Sequence, residues 1–174
     1  MAQLTIPIDR PLDLIGTLGP LVRGRGDPTI RLGGRAVART SRTAQGPAAI
    51  AIEVVGNEIR AEAWGPGAGR LLEELPGFLG LDDDAGGFDP SLHPLVAQLA
   101  RRRPGIRLGR TGAVLESLVP AVLEQRITGT EAWRGFRGLV LAHGEPAPGP
   151  LGLRLPPTAE VLAGLPSWTF PGLG

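Results

Sequence analysis

The sequence predicts an α+β protein, in which a small antiparallel sheet domain over residues 1–88 is followed by an all-helical domain over residues 89–174. Three observations support this fold class. Apolar residues alternate with polar ones through much of the first half, and they recur at helical spacing in the second half. A polar, turn-rich stretch, LDDDAGGFDP at residues 81–90, separates the two patterns.

The first half has the predicted element order β-α-β-β-β-β-α. Its predicted strands are residues 4–8, 28–32, 35–41, 48–55 and 58–64, and its predicted helices are residues 12–24 and the segment that follows Gly67. Two of the strand pairs are separated by the turns Gly33-Gly34 and Gly56-Asn57, which are typical of tight β-hairpins. In the second hairpin, one face collects the apolar side chains Ile50, Ile52, Val54, Ile59, Ala61 and Ala63.

The second half has four predicted helices, at residues 93–103, 112–125 and 130–143 and near residues 158–165. Thr111 is placed as the N-cap of the second of them, and Pro120 inside that helix is expected to kink it. Its apolar face consists of Val114, Leu115, Leu118, Val119, Val122 and Leu123. The third helix is expected to pack Trp133, Phe136, Leu139 and Val140. No strand is expected to pair beyond Pro90.

The composition excludes several kinds of chemistry. The chain has no Cys, so it has no disulfide framework, thiolate metal site or cysteine nucleophile. All 18 of its Lys and Arg positions are Arg, and without a lysine no side chain can form a Schiff base with a sugar. The run Asp82-Asp83-Asp84 lacks the alternating spacing of a metal-binding loop and is interpreted as a solvated loop. We therefore expect no metal ion and no cofactor.

Charge is divided unevenly along a chain whose net charge is only +1. Residues 1–92 contain 9 Arg against 12 acidic residues, a net charge of −3. Residues 93–144 contain 8 Arg against 3 acidic residues, a net charge of +5. A basic second half on a nearly neutral protein indicates a polyanionic partner, whereas the alternative is an ordinary solvated helical surface.

Five short motifs occur in order along the chain. They are Asp89-Pro90, Pro104-Gly105-Ile106-Arg107, AVLEQRIT at residues 121–128, Gly144-Glu145-Pro146 and Leu155-Pro156-Pro157-Thr158. In order and spacing they resemble the 3-methyladenine DNA glycosylase II family, whose members carry DP, PGLR, a helix end of the ILGQQVS type, FGEP and FPTP. The predicted sheet domain ahead of the helices is also similar to that family, so the resemblance covers nearly the whole chain.

The resemblance implies a monofunctional base-excision DNA glycosylase for alkylated purines, which acts in DNA repair as a hydrolase of N-glycosidic bonds. Such an enzyme flips the damaged nucleotide out of the duplex and fills the vacated stack. The implied partner is double-stranded DNA with damaged bases. We further expect a monomer in the cytoplasm, associated with the nucleoid. No membrane contact is expected, because the apolar stretches are interrupted within about ten residues and about 20 are needed to span a bilayer.

The resemblance also assigns the DNA-binding residues. In the family, the turn after the GQ helix reaches the minor groove, and the matching residues here are Gln125, Arg126 and Thr128. Arg126 occupies the wedge position, where its planar head can fill the gap and contact phosphate. Glu124 stands where the family has a small glycine, and a carboxylate there needs a cationic partner, for which Arg126 is the nearest candidate. Pro20 stands where some relatives have an aromatic residue that lines the base pocket.

No catalytic residue is assigned within the 174 residues. The family's helix-hairpin-helix motif and its catalytic Asp are expected beyond Gly174, so the chain is expected to contain the sheet domain and the first helices of an incomplete glycosylase domain. PGLG at residues 171–174 matches the hairpin pattern, but too little helix precedes it and none follows, and we interpret it as a chance match. The chain alone is therefore expected to be inactive.

Two alternative functions stay open at this point. The first is a non-catalytic DNA-binding relative that ends near Gly174. The second is a protein-interaction module whose Arg-rich face serves only for solvation. A continuation with a PGxG hairpin and a following Asp would favour the enzyme over both.

Overall fold

The chain folds as a mixed α+β protein in the computed structural model, which describes residues 1–84, 86–125, 127–167 and 169. Its strands are β1 (Ala2–Pro7), β2 (Ile30–Gly33), β3 (Ala36–Thr43), β4 (Gly46–Val55) and β5 (Glu58–Trp64). They form one antiparallel sheet in the order β1-β5-β4-β3-β2. The predicted fold class is confirmed in this coarse form, whereas the division at residues 88 and 89 and the incompleteness of the helical part stay predictions.

Both predicted hairpins form, and the second buries most of its predicted apolar face. Gly34 and Gly56 have φ angles of 57° and 58° in the two turns, a left-handed conformation that glycine adopts without a Cβ clash. Strand β1 pairs with β5 and forms one edge of the sheet. Of the six apolar side chains predicted on one face of the β4–β5 hairpin, five are buried and Val54 is partly buried; the buried ones are Ile50, Ile52, Ile59, Ala61 and Ala63.

Three short helices cover the apolar face of the sheet: α1 (Leu14–Leu18), α2 (Ala68–Glu73) and α3 (Leu75–Phe78). Asp13 begins α1, because its carboxylate accepts a hydrogen bond of 2.8 Å from an amide of the first turn. The helix predicted at residues 12–24 is shorter in the structure, since Pro20 has no amide hydrogen to continue it. The chain instead tightens into a 3-10 turn at Gly19–Leu21.

The second half contains four helices: α4 (Pro94–Arg102), α5 (Val114–Leu123), α6 (Gly129–His143) and α7 (Ala159–Gly164). Each predicted helix is confirmed, with bounds that agree within two residues at each end. The predicted cap of α5 is wrong. Gly112, with a φ angle of 64°, turns the chain between Thr111 and the helix, so α5 begins after Ala113 without a side-chain cap. Pro120 lies inside α5, as predicted.

The prediction of helix alone beyond Pro90 is wrong. Two short strands, β6 (Glu145–Pro146) and β7 (Arg154–Leu155), pair antiparallel with each other, and the loop between them turns at Gly152 with a φ angle of 65°. Strand β7 is held against the sheet, since the Arg154 amide donates to the Pro28 carbonyl and the Thr40 hydroxyl donates to the Arg154 carbonyl, both at 2.8 Å. A ladder of two residues in a proline-rich loop produces no detectable alternation, and the sequence pattern therefore missed it.

One largely buried carboxylate joins the second half to the sheet. Glu116 on α5 accepts hydrogen bonds from three groups of β3: the Arg39 guanidinium at 3.1 Å, the Ser41 hydroxyl at 2.9 Å and the Arg42 amide at 2.7 Å. The Arg39 guanidinium also lies over the Phe78 ring, 4.7 Å from its centre. The side chains of Arg39 and Glu116 are only 9% and 17% exposed, so solvent ions screen this pair much less than a surface pair.

Three of the eight Arg in residues 93–144 also hold the two halves together. The contacts are Arg103 with the Asp13 carboxylate at 3.5 Å, Arg107 with the Pro11 carbonyl at 2.8 Å and Arg110 with the Asp82 carboxylate at 3.2 Å. The positive charge of the second half is therefore partly balanced inside the protein.

Candidate nucleic-acid interface

The turn between α5 and α6 lies exposed on the surface. Helix α5 is closed by Glu124, whose amide donates to the Pro120 carbonyl at 2.9 Å. Beyond it, Gln125, Ile127 and Thr128 are all exposed, and Ile127 has 50% of its surface in solvent. The structure thus brings Gln125 and Thr128 together at this turn, whereas Arg126, the third predicted DNA-binding residue, lies outside the described residues.

Thr128 begins α6 through a reciprocal capping box. Its hydroxyl accepts a hydrogen bond from the Glu131 amide at 3.4 Å, and the Glu131 carboxylate accepts from the Thr128 hydroxyl at 2.7 Å and from its amide at 3.0 Å. These hydrogen bonds hold the pKa of Glu131 below its usual range, and the bond from the Thr128 hydroxyl has the largest effect. Like the first amides of any helix, those of Gly129 and Thr130 have no partner inside the helix and favour an anion nearby.

We expect Thr128→Ala to lower the free energy of unfolding by about 1 kcal/mol, because it removes a helix N-cap, and Thr128→Ser to retain most of the stability. Folding lowers the pKa of Glu131, so its ionised carboxylate stabilises the folded protein. This stabilisation is complete above the pKa of the unfolded carboxyl and is lost as the pH falls through the pKa of the folded one. Urea unfolding of both variants at neutral and acidic pH measures these effects. Equal stability of the two variants at neutral pH would contradict the capping role.

Glu124 joins the turn to a loop of the first half. Its carboxylate accepts a hydrogen bond of 3.3 Å from the Trp133 indole and lies 3.8 Å from the Arg23 guanidinium. The sequence left Arg126 as the nearest candidate partner, but among the described residues the partners are Arg23 and Trp133. The pairing offsets a negative charge that would otherwise repel a phosphate at the turn. Sequence reasoning missed it because only the tertiary fold brings Arg23 to the end of α5.

A cavity of 220 Å³ lies between α5, α6 and the proline-rich segment after β7. Its largely apolar wall includes Val119, Phe136, Pro157 and Leu162. The carboxylate in that wall belongs to Glu116, and three groups of β3 already bind it. Pro20, which stands where some members of the family have a pocket-lining aromatic residue, is exposed in the 3-10 turn and does not line this cavity. The cavity therefore offers apolar contact without a free carboxylate.

The acidic run at residues 82–84 stabilises its own surroundings. Asp82 pairs with Arg110 at 3.2 Å, Asp83 accepts a hydrogen bond from the Leu108 amide at 3.1 Å, and Asp84 accepts one from the Gly86 amide at 2.8 Å. The interpretation as a merely solvated loop was incomplete, because two of the three carboxylates bind the segment before α5. Within the part of the chain that the structure describes, no group of three or more acidic or His residues could hold a metal ion.

No helix among the described residues is long and apolar enough to cross a membrane.

The predicted apolar faces of the second half are only partly buried. In α6, Phe136, Leu139 and Val140 are buried as predicted, whereas Trp133 is 40% exposed. In α5, only Pro120 is buried among the helix residues, and α4 has no buried residue. The apolar side chains of α4 and α5 that are more than half exposed are Leu95, Leu99, Val114, Leu118 and Val122.

The fold is similar to solved structures of DNA glycosylases. The chain is similar to the 3-methyladenine DNA glycosylase from Archaeoglobus fulgidus, at 17% identity and a TM-score of 0.68, over 91% of this chain and 57% of that one. It is similar to MBOgg1 in complex with a low-affinity DNA ligand, at 14% identity and a TM-score of 0.75, over 99% and 57%. It is also similar to the apo form of the Clostridium acetobutylicum 8-oxoguanine glycosylase/lyase, at 11% identity and a TM-score of 0.74, over 99% and 58%.

These similarities show the fold that the chain shares with DNA glycosylases of two kinds. At identities between 11% and 17% they show the fold alone. The chain spans less than three fifths of the length of each of the three proteins. No family model and no curated protein matches the sequence.

Proposed function

We propose that this chain is the DNA-binding front portion of a base-excision DNA glycosylase for alkylated purines. The main support is the exposed turn between α5 and α6, which occurs on a fold shared with DNA glycosylases, one of them bound to DNA. The order of the sequence motifs favours alkylated purines over 8-oxoguanine. The proposed partner is double-stranded DNA with a damaged base, and the proposed acting form is a monomer on the nucleoid in the cytoplasm.

In this proposal, the turn enters the minor groove at the damaged base pair. Gln125 and Thr128 contact the DNA on either side of Arg126, which fills the stack that the flipped nucleotide leaves. Ile127 is a second candidate wedge, since its apolar side chain is half exposed next to Arg126 and apolar residues often insert between base steps. The first amides of α6, which have no partner inside the helix, add donors for a phosphate.

The proposal also accounts for the exposed apolar faces of α4 and α5. Further helices that lie outside this sequence would cover those faces and supply the catalytic carboxylate. The support is that apolar residues such as Leu95 and Leu118 are more than half exposed on helices that bury almost nothing. The greater length of the similar glycosylases agrees with it, since this chain spans only 57–58% of them.

Arg126→Ala should weaken binding to a duplex with an abasic site more than binding to an intact duplex, because only the abasic duplex has a gap to fill. We expect about a tenfold loss on the abasic duplex, or about 1.4 kcal/mol. The intact duplex should lose only the smaller effect of one phosphate contact. Fluorescence anisotropy with labelled duplexes measures both affinities.

Two further variants complete the binding experiment. Ile127→Ala on the same duplexes identifies which of the two neighbouring side chains fills the gap. Arg60→Ala removes one positive charge from the far strand β5, where Arg60 pairs with Glu58 at 3.0 Å, and controls for net charge. If Arg126→Ala and Ile127→Ala each lose the same affinity on both duplexes, neither side chain fills the gap. Arg126 would then only contact a phosphate.

A protein-interaction module is a second candidate function, and the exposed apolar side chains of α4 and α5 favour it. This candidate predicts no binding to duplex DNA at any salt concentration. The glycosylase proposal instead predicts binding that weakens steeply as salt rises. A salt titration of DNA binding by the chain therefore separates the two functions.

A further inference from the structure

A short loop next to the turn, residues 23–27 with the sequence RGRGD, is held in one shape by its own contacts. The buried Asp27 carboxylate accepts hydrogen bonds from the Arg23 amide at 2.8 Å and from the Thr29 amide and hydroxyl at 2.8 and 2.7 Å. Gly24 and Gly26 have φ angles of 74° and 81°, which other residues adopt only with strain. The exposed residue between these two glycines is Arg25.

The loop packs against the exposed side of α6. A Cβ atom on Gly24 would lie 2.7 Å from the Trp133 ring, and one on Gly26 would lie 3.4 Å from Arg137 Nε. Trp133 and Arg137 are four residues apart on one helix, so their side chains are neighbours on the same face. The loop also reaches the turn, because Arg23 pairs with Glu124. Loop and turn therefore form one continuous surface.

This surface is concave, and exposed guanidinium groups border it. A groove of 730 Å³ is lined by the loop, the start of β2, the segment just before β7 and Trp133 of α6, and its wall includes Arg25 and Arg31. Arg137 lies beside this groove, next to Gly26. The carboxylates of the loop and of the turn, Asp27 and Glu124, already accept hydrogen bonds within the protein. Arg25 and Arg137 are exposed, and neither makes an ion pair or a side-chain hydrogen bond with another residue that the structure describes.

We propose that the Arg25 groove, lined by Arg25, Arg31 and Trp133, together with the adjacent Arg137, binds the sugar–phosphate backbone of the duplex beside the damaged base pair. The inference rests on the proposed function, because DNA held at the turn would continue along the groove. Guanidinium groups fork onto phosphate oxygens. The two glycines let the loop pack closely on α6, which holds Arg25 beside Trp133 and Arg137. Phosphates carry no sequence information, so the contact is independent of base sequence and of the lesion.

The test compares Arg25→Gln, Arg137→Gln and the double variant with Arg60→Gln, the matched control that removes one charge from β5. Binding to an intact and an abasic duplex is measured by fluorescence anisotropy between about 50 and 200 mM salt. The slope of log K against log salt is negative, and each lost phosphate contact makes it less steep by about 0.9. For the double variant we expect a slope that is less steep by about 1.8. Its affinity should fall by roughly the same factor on both duplexes. Circular dichroism and thermal midpoints confirm that each variant is folded.

Three outcomes would overturn this inference. A double variant with the slope and affinity of Arg60→Gln would reject the Arg25 groove and leave the turn as the interface. A loss confined to the abasic duplex would also reject it, since it would make these residues part of gap recognition rather than backbone contacts. If the unmodified protein binds neither duplex, the proposed function fails together with the groove.

Discussion

Replacing Glu116 by Ala should lower the free energy of unfolding by about 3–5 kcal/mol, the loss expected when one partner of a buried ion pair is removed. The change leaves the Arg39 guanidinium, whose side chain is only 9% exposed, without its carboxylate. It also leaves the Ser41 hydroxyl without the acceptor that it has in the folded protein. Helix α5 would lose its main polar anchor on β3. Urea denaturation followed by circular dichroism measures the change.

The control for Glu116→Ala is the double variant Arg39→Met with Glu116→Leu. It removes both charges together, and replacement of a buried pair by apolar residues of similar size is often neutral. We therefore expect the double variant to be more stable than Glu116→Ala, although the Ser41 hydroxyl and the Arg42 amide stay unpaired. A loss of less than about 1 kcal/mol for Glu116→Ala, the value of an exposed pair, would contradict its role as the joint between the two halves.

The chain of residues 1–174 should release no 3-methyladenine from methylated duplex above the rate in buffer. Cleavage of the glycosidic bond needs a carboxylate beside the sugar, to stabilise positive charge in the transition state or to activate water. Each acidic side chain near the turn has another role: Glu116 binds β3, Glu124 binds Arg23 and Trp133, and Glu131 caps α6. The route through a lysine Schiff base is closed, because the chain has no lysine.

Chromatography of the released base over time measures this activity, with Glu124→Gln and Glu131→Gln as matched variants. Turnover well above the buffer rate that is lost in either variant would show that the active site lies within these residues. Under the proposed function, a longer polypeptide with helices that supply a catalytic carboxylate should excise the base, with an acceleration of at least about a millionfold over the uncatalysed reaction. An Asp→Asn change after the added hairpin should abolish that activity.

The sheet was predictable because its signals are local. In the β4–β5 hairpin, alternation identifies Ile52 and Ile59 as buried, and a two-residue turn at Gly56-Asn57 sets the register without information from elsewhere in the chain. Helices α4 to α7 were predictable for a similar reason, since their apolar spacing and end residues lie within each helix. Thr128 and Glu131, three positions apart, are likewise a local signal for the start of α6.

The errors fall where a tertiary contact or a single dihedral angle decides the structure. Strands β6 and β7 exist because β7 binds Pro28 and Thr40 of the sheet half, which no nearby residue of the chain encodes. The start of α5 moved past Thr111 because Gly112 takes a left-handed conformation. The helix after Asp13 is shorter than its apolar spacing predicts, because Pro20 cannot donate the backbone hydrogen bond of a further α-helical turn.

The turn between α5 and α6 was predictable from the sequence, but its electrostatics were not, and the DNA-binding role of its residues stays a prediction. A local motif identifies the turn after α5, and the structure exposes Gln125 and Thr128 there. The partner of Glu124 and the Arg25 groove both depend on the loop at residues 23–27, which the fold brings against α6. Because that loop and α6 are far apart in the sequence, no spacing pattern could reveal their contact.

Equilibrium binding of the unmodified chain to two duplexes that differ by one abasic site tests the central claim, that the turn between α5 and α6 meets DNA at a gap. We expect binding to both duplexes, tighter binding to the abasic one, and a linear fall of log K as log salt rises. Equal affinity for the two duplexes, or no binding to either at low salt, would contradict the claim.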